Sequence, residues 1–249
     1  DTYNTAIGFN AGLAVTTGKN NTLIGGLAGD ALTDADANVA VGYLSLTADT
    51  LGSKSVAIGQ QALTTQNFTT ATDVHNIAIG YQAGAAVTTG ALNILIGGLS
   101  GDSVTIGNSN VALGYQALTT EVAGDRSVAI GLGALAIQSN ATTVDVYNTA
   151  VGYNAGYAVT TGISNTFIGG LAGDATTDAD YNTAVGQGAM GTNILGSRNT
   201  ALGRDALYAM NPATAVDMYN TAVGFGAGSV MTTGTHNTLI GALAGDALT

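Results

Sequence analysis

A short block of one polar and three mostly apolar positions recurs along the whole chain. Each block begins with Asn or Ser, continues with three mostly apolar residues and ends in Gly. Three intervals of seventeen positions are followed by one of twenty-one, and this order then repeats with a longer period of seventy-two. The fourteen starting residues, which number the coils 1 to 14 below, are Asn4, Asn21, Asn38, Ser55, Asn76, Asn93, Asn110, Ser127, Asn148, Asn165, Asn182, Asn199, Asn220 and Asn237.

Each block predicts a short β-strand that ends at a Gly-marked bend. The blocks are rich in β-branched residues, and Gly recurs too often for a helix. One interval between blocks is long enough for two short strands and two turns, hence for one turn of a solenoid. A single turn cannot bury its apolar side, whereas stacked turns can. The sequence therefore predicts an all-β solenoid, or β-roll, of about fourteen coils.

The repeats predict one domain over residues 1–249. Its super-repeats are 4–75, 76–147, 148–219 and the incomplete 220–249. The chain starts without Met and stops before the fourteenth interval is complete. The stop thus falls inside the fourteenth unit, after its complete block, and neither end resembles a cap. Because an uncapped solenoid exposes unpaired strand edges, we expect either a fragment of a longer fibre or coils that stack end to end.

Both faces of the predicted strands are apolar. The second and fourth block positions, such as Thr5 and Ile7, share one face, and the third position, such as Ala6, points to the other. One face is expected to fill the coil interior. The other, whose many Ala residues allow close approach, is expected to pack on a neighbouring copy of the chain.

Asn and Gly have structural explanations at their block positions. Stacked Asn side chains form hydrogen-bonded ladders, and Gly supplies a positive φ at bends. The structural repeat positions are represented by Asn4, Gly8, Asn21, Gly25, Asn76, Gly80, Asn148, Gly152, Asn220 and Gly224.

Composition excludes several classes of protein. The chain has no Cys, so neither a disulfide scaffold nor a Cys-based zinc site is possible. Five basic residues against sixteen acidic ones give a net charge of −11 and argue against nucleic acid as a partner. No apolar run is long enough to predict a membrane span.

The blocks resemble two known repeat sets. Residues 4–12 (NTAIGFNAG), 110–118 (NVALGYQAL) and the SVAIG motif at 55–59 and 127–131 are similar to repeats of trimeric autotransporter adhesin heads. They also resemble phage tail-fibre repeats of the kind that precede an endosialidase-type chaperone. The resemblance implies a homotrimeric β-roll on a cell or virion surface. The adhesin heads usually have shorter units, and the four-coil super-period matches neither family.

Candidate chemistry is sparse. No catalytic constellation is present, because His75 and His236 lack a nucleophile at fixed spacing. Four turn carboxylates are weak calcium candidates, although the EF-hand pattern fails after them and solvated turns are the simpler interpretation. These are Asp34, Asp36, Asp178 and Asp180.

Two further features stand out on turns. Lys54, Arg126 and Arg198 recur once in each super-repeat, which is explained more simply by charges on exposed turns that maintain solubility or pair between subunits than by a functional basic stripe. The extra residues of every fourth coil form variable loops, which are candidate binding loops marked by Phe68, Asn140 and Pro212.

The sequence thus predicts a non-enzymatic protein without cofactors, a stiff extracellular fibre segment for surface or host attachment. Its expected partners are other copies of itself and an unidentified cell-surface receptor or glycan. The alternatives are a self-assembling filament or surface layer, and less favoured an ice-binding solenoid, because the Thr row at the second block position is interrupted.

Overall fold

A computed structural model describes residues 2–248, which form two compact units. The first contains the residues up to Asp125 together with Ala141–Thr143, and the second contains Arg126–Asn140 and the residues from Val144 onward. Each unit is a parallel β-solenoid of seven turns. The predicted all-β solenoid of about fourteen coils is confirmed, and no helix that could cross a membrane occurs in residues 2–248.

The first unit stacks seven three-residue strands in parallel, and a shorter pair, β4 with β6, forms a second small sheet. Every residue of a stacked strand pairs with the residue one coil further on, as Thr5 does with Thr22. The strands are β1 (Thr5–Ile7), β2 (Thr22–Ile24), β3 (Val39–Val41), β4 (Gly52–Ser53), β5 (Val56–Ile58), β6 (Thr72–Asp73), β7 (Ile77–Ile79), β8 (Ile94–Ile96), β9 (Val111–Leu113) and β10 (Gly124–Asp125).

The second unit repeats this arrangement, with β16 paired to β18 in the small sheet. Its register is equally strict, and Thr149 pairs with Thr166. The strands are β11 (Val128–Ile130), β12 (Val144–Asp145), β13 (Thr149–Val151), β14 (Thr166–Ile168), β15 (Thr183–Val185), β16 (Gly196–Ser197), β17 (Thr200–Leu202), β18 (Val216–Asp217), β19 (Thr221–Val223) and β20 (Thr238–Ile240).

The third block position fills the interior of coils 2 to 13. Ala40, Leu95 and Phe167 are fully buried there, while the strand residues on either side of them are partly exposed. The expectation that the Ala-rich face packs outward against a second layer is therefore wrong. Small side chains at this position let successive coils share a narrow core, and the β-branched second and fourth positions point outward instead.

The fifth block position must be Gly because successive coils touch there. Its φ is between 124° and 142° in all fourteen coils, a conformation that L side chains rarely adopt. A Cβ on Gly8 would lie only 2.5 Å from the carbonyl oxygen of Gly25 in the next coil. Gly at this position thus allows both the bend and the spacing between coils.

The block Asn residues link each coil to the next. Oδ1 of Asn21 accepts a hydrogen bond from the backbone N–H of Asn38 at 2.9 Å, and its Nδ2 donates to the carbonyl of Ala35 at 2.8 Å. Most bonds of the ladder therefore join a side chain to the backbone. They satisfy buried backbone groups that the short strands leave without a partner.

A second interior position explains why four coils form the longer repeat. Leu23, the bulky third-position residue of coil 2, fills the space beside Gly12 of coil 1 and Gly29 of its own coil. A Cβ on either glycine would lie within 2.8 Å of that leucine. In coils 3 and 4 the third position is Ala, and the glycine position carries the buried Leu46 and Leu63. Large and small residues thus exchange places between layers to keep the core filled.

The fourth coil closes its interior in another way. Where Ser55 replaces the block Asn, the side chain of Gln66 enters the interior and donates to the Ser55 hydroxyl at 3.1 Å. Oε1 of Gln66 then accepts from Nδ2 of Asn76 at 2.9 Å. The third super-repeat instead has Asn199 at the block position, and Met210 at the position of Gln66. A long side chain at an interior position that every coil shares therefore completes the core of the fourth coil.

Thr176 offers a direct test of this interior. Its hydroxyl is buried and has no hydrogen-bond partner in the described structure. The equivalent residue one super-repeat earlier is the buried Val104. Thr176→Val is expected to raise the free energy of unfolding by about 1 kcal/mol, because it removes an unsatisfied hydroxyl while keeping the shape. Chemical denaturation measures this change. The reciprocal Val104→Thr variant should lose stability, and a loss in Thr176→Val would contradict the assignment.

Candidate functional site

The outward side of the stacked strands, called the strand face below, consists of the second and fourth block positions. No charged residue occupies either position in any coil. The second row contains Thr, Val and Ile, and the fourth contains only Ile, Val and Leu. Most of these side chains are partly exposed, and Ile168 and Leu202 exceed one third exposure. An uncharged surface rich in aliphatic side chains is unusual on a monomeric protein and is typical of interaction sites.

The strand face differs between the units. In the first unit the second position changes from Thr to Val and Ile, whereas in the second unit six successive coils carry Thr. Strand pairing holds these threonines in register, as between Thr183 and Thr200. The row consists of Thr149, Thr166, Thr183, Thr200, Thr221 and Thr238.

An exposed aromatic row follows the fifth-position Gly in six of the fourteen coils. Half or more of the surface of each of these rings is exposed. In the first unit these rings alternate with smaller residues, and a Cβ on Gly26 would lie 3.3 Å from Cδ2 of Tyr43. Gly26 therefore leaves space for the ring of the next coil. The row contains Phe9, Tyr43, Tyr81, Tyr115, Tyr153 and Phe225.

The predicted row of basic residues consists of three ion pairs. Lys54 pairs with Asp73, Arg126 with Asp145, and Arg198 with Asp217, each time with the carboxylate of the following coil. The guanidinium of Arg198 also lies 4.6 Å from the ring centroid of Tyr181. The Lys54 ammonium lowers the pKa of the Asp73 carboxyl through a hydrogen bond. These cations are exposed, and each pairs within its own chain, whereas the sequence predicted pairing between subunits or a role in solubility.

The four calcium candidates lie on turns and accept hydrogen bonds from the preceding coil. Asp34 and Asp178 accept from the hydroxyls of Thr17 and Thr161. Asp36 and Asp180 accept backbone N–H groups at 2.7 and 2.8 Å. In residues 2–248, no three His, Cys, Asp or Glu side chains are grouped as metal ligands would be. The geometry gives these carboxylates a role in joining coils.

The candidate binding loops are packed more closely against the protein than the sequence suggests. Pro212 and Asn140 are buried, and Phe68 is half-buried, with its backbone N–H donating to Asp49 at 3.0 Å. The exposed parts of these loops lie a few residues further on, for example at 213–217. The three marker residues therefore anchor their loops.

Two buried carboxylates, Asp49 and Glu121, were not among the candidate residues predicted from the sequence. Oδ1 of Asp49 accepts from the backbone N–H of Gly52 at 3.1 Å, and its Oδ2 accepts from Nε2 of Gln66 at 2.6 Å. One super-repeat later, Oε1 of Glu121 accepts three successive backbone N–H groups at 2.8 to 3.2 Å. The sequence does distinguish these two residues, because both occupy an interior position of the repeat that is otherwise mostly apolar. Their bonds make them structural anchors of the third-coil turn.

Comparison of the chain with protein-family models, with curated protein sequences and with solved structures finds no match.

Asp174 is a partly buried carboxylate that lacks a side-chain hydrogen bond present at its repeat equivalents Asp30 and Asp102. Burial raises the pKa of Asp174, as it does that of Asp102, but Asp102 also accepts a hydrogen bond from the Thr119 hydroxyl. A folded-state pKa above the ordinary 3.8 means that the protonated form is favoured by folding. The contribution of this group to stability is thus lost as the pH rises through the raised pKa.

Asp174→Asn is expected to stabilise the protein at pH 7, because it removes a desolvated charge. The gain should shrink as the pH falls through the raised pKa, where the wild-type carboxyl becomes protonated. Thermal melts of both proteins between pH 7 and pH 3 measure the difference. Asp102→Asn is the control and should gain less, because Thr119 stabilises the charged form there. A gain at pH 7 that does not change with pH would contradict this explanation.

Proposed function

We propose that the chain is a structural segment of an extracellular attachment fibre, in which three copies pack through their strand faces. The observation that supports this is the strand face itself, which carries no charge and has an aliphatic side chain in every coil. A partner copy with the same face offers a complementary surface without buried unpaired charge. The choice of three copies follows the resemblance to trimeric adhesin and tail-fibre repeats. The proposed role is mechanical and non-catalytic.

The stiffness expected of such a fibre has a basis within each unit. Each coil is joined to the next by strand pairing, by the Asn bonds and by turn bonds such as Thr105 N–H to the carbonyl of Val122 at 2.8 Å. These contacts recur at almost constant separation along the sequence. Bending a unit would have to break several of them in the same layer.

The mass in solution tests the proposal. Light scattering of the purified protein is expected to give three times the chain mass of 24.4 kDa. Ile79→Lys and Val151→Lys place a charge on the strand face of each unit and should shift the mass toward one copy while circular dichroism stays unchanged. Thr69→Lys, on an exposed loop, is the control and should remain trimeric. A wild-type mass equal to that of one chain would overturn the proposal, and a mass that rises steadily with concentration would favour the filament alternative.

The six-threonine row favours a second candidate function, ice binding by a single chain. The threonines lie on consecutive parallel strands, about 4.8 Å apart, with aliphatic side chains two residues further on. A regular array of hydroxyls and methyl groups can order water in a lattice. This function requires the strand face to be exposed to water, so it competes with the trimer. Thermal hysteresis that is present in the wild type and lost in Thr183→Lys would favour it.

A further inference from the structure

Coil 11, the third coil of the third super-repeat, lacks two side chains that its equivalents carry. Gly188 stands where the earlier super-repeats have Leu44 and Gln116, and Gly191 stands where they have Thr47 and Thr119. An open cavity of about 620 Å³, called the groove below, lies at this point within the second unit. Its volume is in the range of small-molecule sites.

The groove is lined by side chains that also depart from the repeat. Asp205 and Tyr208 occupy positions that are Gly133 and Ala136 one super-repeat earlier. Oδ1 of Asp205 lies 2.6 Å from where a Cβ on Gly188 would be, and Cε2 of Tyr208 lies 2.8 Å from a Cβ on Gly191. Both side chains thus use the space that the two glycines leave. Phe225, half of whose surface is exposed, adds a second ring.

Asp174 also lines the groove, and there it lacks the partner that its equivalents have. In the first two super-repeats the matching carboxylates, Asp30 and Asp102, accept a hydrogen bond from the threonine one coil further on. That threonine is Gly191 in the third super-repeat. The same change that opens the groove therefore leaves a half-buried acceptor at its edge.

We propose that this groove binds an uncharged pyranose sugar. The apolar C–H face of the sugar would pack on the rings of Tyr208 and Phe225, and its hydroxyls would donate to the carboxylates of Asp174 and Asp205. A cationic ligand fits less well, because Arg204 already lies 3.1 Å from Asp205 and 5.6 Å from the Phe225 ring centroid. An acidic sugar would be repelled by the two carboxylates and the net charge of −11.

This inference goes beyond the fibre proposal, since the groove lies within one unit and its contacts do not depend on assembly. It gives the attachment role a class of ligand. The two proposals also fail separately. A trimer that binds no sugar would overturn only the groove, and a monomer that binds sugar would overturn only the trimer.

Saturation-transfer difference NMR on the full chain tests the groove. The probes are methyl glycosides of glucose, galactose and mannose, with N-acetylneuraminic acid and methylamine as charged comparisons. Transfer to the ring protons of at least one neutral glycoside is expected, with none to the charged comparisons. Gly191→Thr restores the threonine of the other super-repeats and should weaken binding at least tenfold by closing the groove. Tyr208→Ala, which copies Ala136, should also weaken binding at least tenfold, because it removes the ring on which the sugar packs.

Tyr157→Ala is the matched control. Tyr157 has the same position in coil 9 that Tyr208 has in coil 12. It is 41% exposed and lies outside the groove. This variant should bind as the wild type does. The proposal is overturned if no neutral glycoside receives transfer, if methylamine binds in preference, or if Gly191→Thr leaves binding unchanged while its melting temperature shows a folded protein.

Discussion

Gly173→Leu is expected to lower the free energy of unfolding of the second unit by about 3–5 kcal/mol. A Cβ on Gly173 would lie 2.4 Å from Cε1 of Phe167, so the leucine and the ring cannot share the layer. The backbone adds to the cost, because Gly173 has a φ of +59°, where a side chain costs about 1–2 kcal/mol. Chemical denaturation followed by circular dichroism measures the loss.

The exchange of large and small residues between layers predicts a rescue of this variant. Phe167→Ala alone is expected to cost about 3–5 kcal/mol by leaving a cavity. Combined with Gly173→Leu it recreates the pair found in coil 3, where Ala40 occurs with the buried Leu46 at a φ of 51°. The double variant should lose about 1–3 kcal/mol less than the sum of the two single losses. Simple additivity would show that the two positions do not share a layer.

Asn93→Ala is expected to cost the first unit about 3–5 kcal/mol. Oδ1 of Asn93 accepts from the backbone N–H of Asn110 at 3.0 Å, and its Nδ2 donates to the carbonyl of Gly107 at 2.9 Å. Alanine removes both bonds and leaves buried groups without a partner, each at a cost of about 1–3 kcal/mol. Denaturant melts of the purified variant measure this loss.

Asn20→Ala provides the comparison for the ladder. Asn20 is exposed and directly precedes a block, and its equivalent in the next coil is Ala37, with nearly the same φ of 57°. Its loss should stay below about 1 kcal/mol, because only a local conformational preference changes. Equal losses in the two variants would contradict a special role for the buried ladder.

The solenoid could be predicted from the sequence because its cause is local. Each block carries its own strand and bend, and stacking follows from the need to bury one side. Which side is buried could not be inferred, since Ala and Val are both small and apolar. Deciding between them requires the width of the coil interior, which is a property of the folded coil and not of one block.

The groove could not be predicted because its residues belong to different coils. Asp174, Gly191 and Tyr208 are each ordinary residues in their own turn, and only stacking brings them to one place. The left-handed backbone before every block was equally hidden. It is adopted by Tyr147, Arg198 and His236 alike, residue types that do not mark such a conformation. The stack imposes it, and a single coil gives no sign of it.

The packing of a bulky interior side chain against glycines of two successive coils, as between coils 1 and 2, limits which duplications of the repeat preserve the core. A leucine such as Leu95 needs Gly84 in the coil before it and Gly101 in its own. Duplicating that single coil after a coil with a buried leucine, such as Leu63, would place two bulky side chains against each other. Duplicating a whole super-repeat keeps every neighbour unchanged. In-frame recombination that adds four coils therefore keeps the packing of the core, whereas insertion of a single coil at such a junction would disturb it.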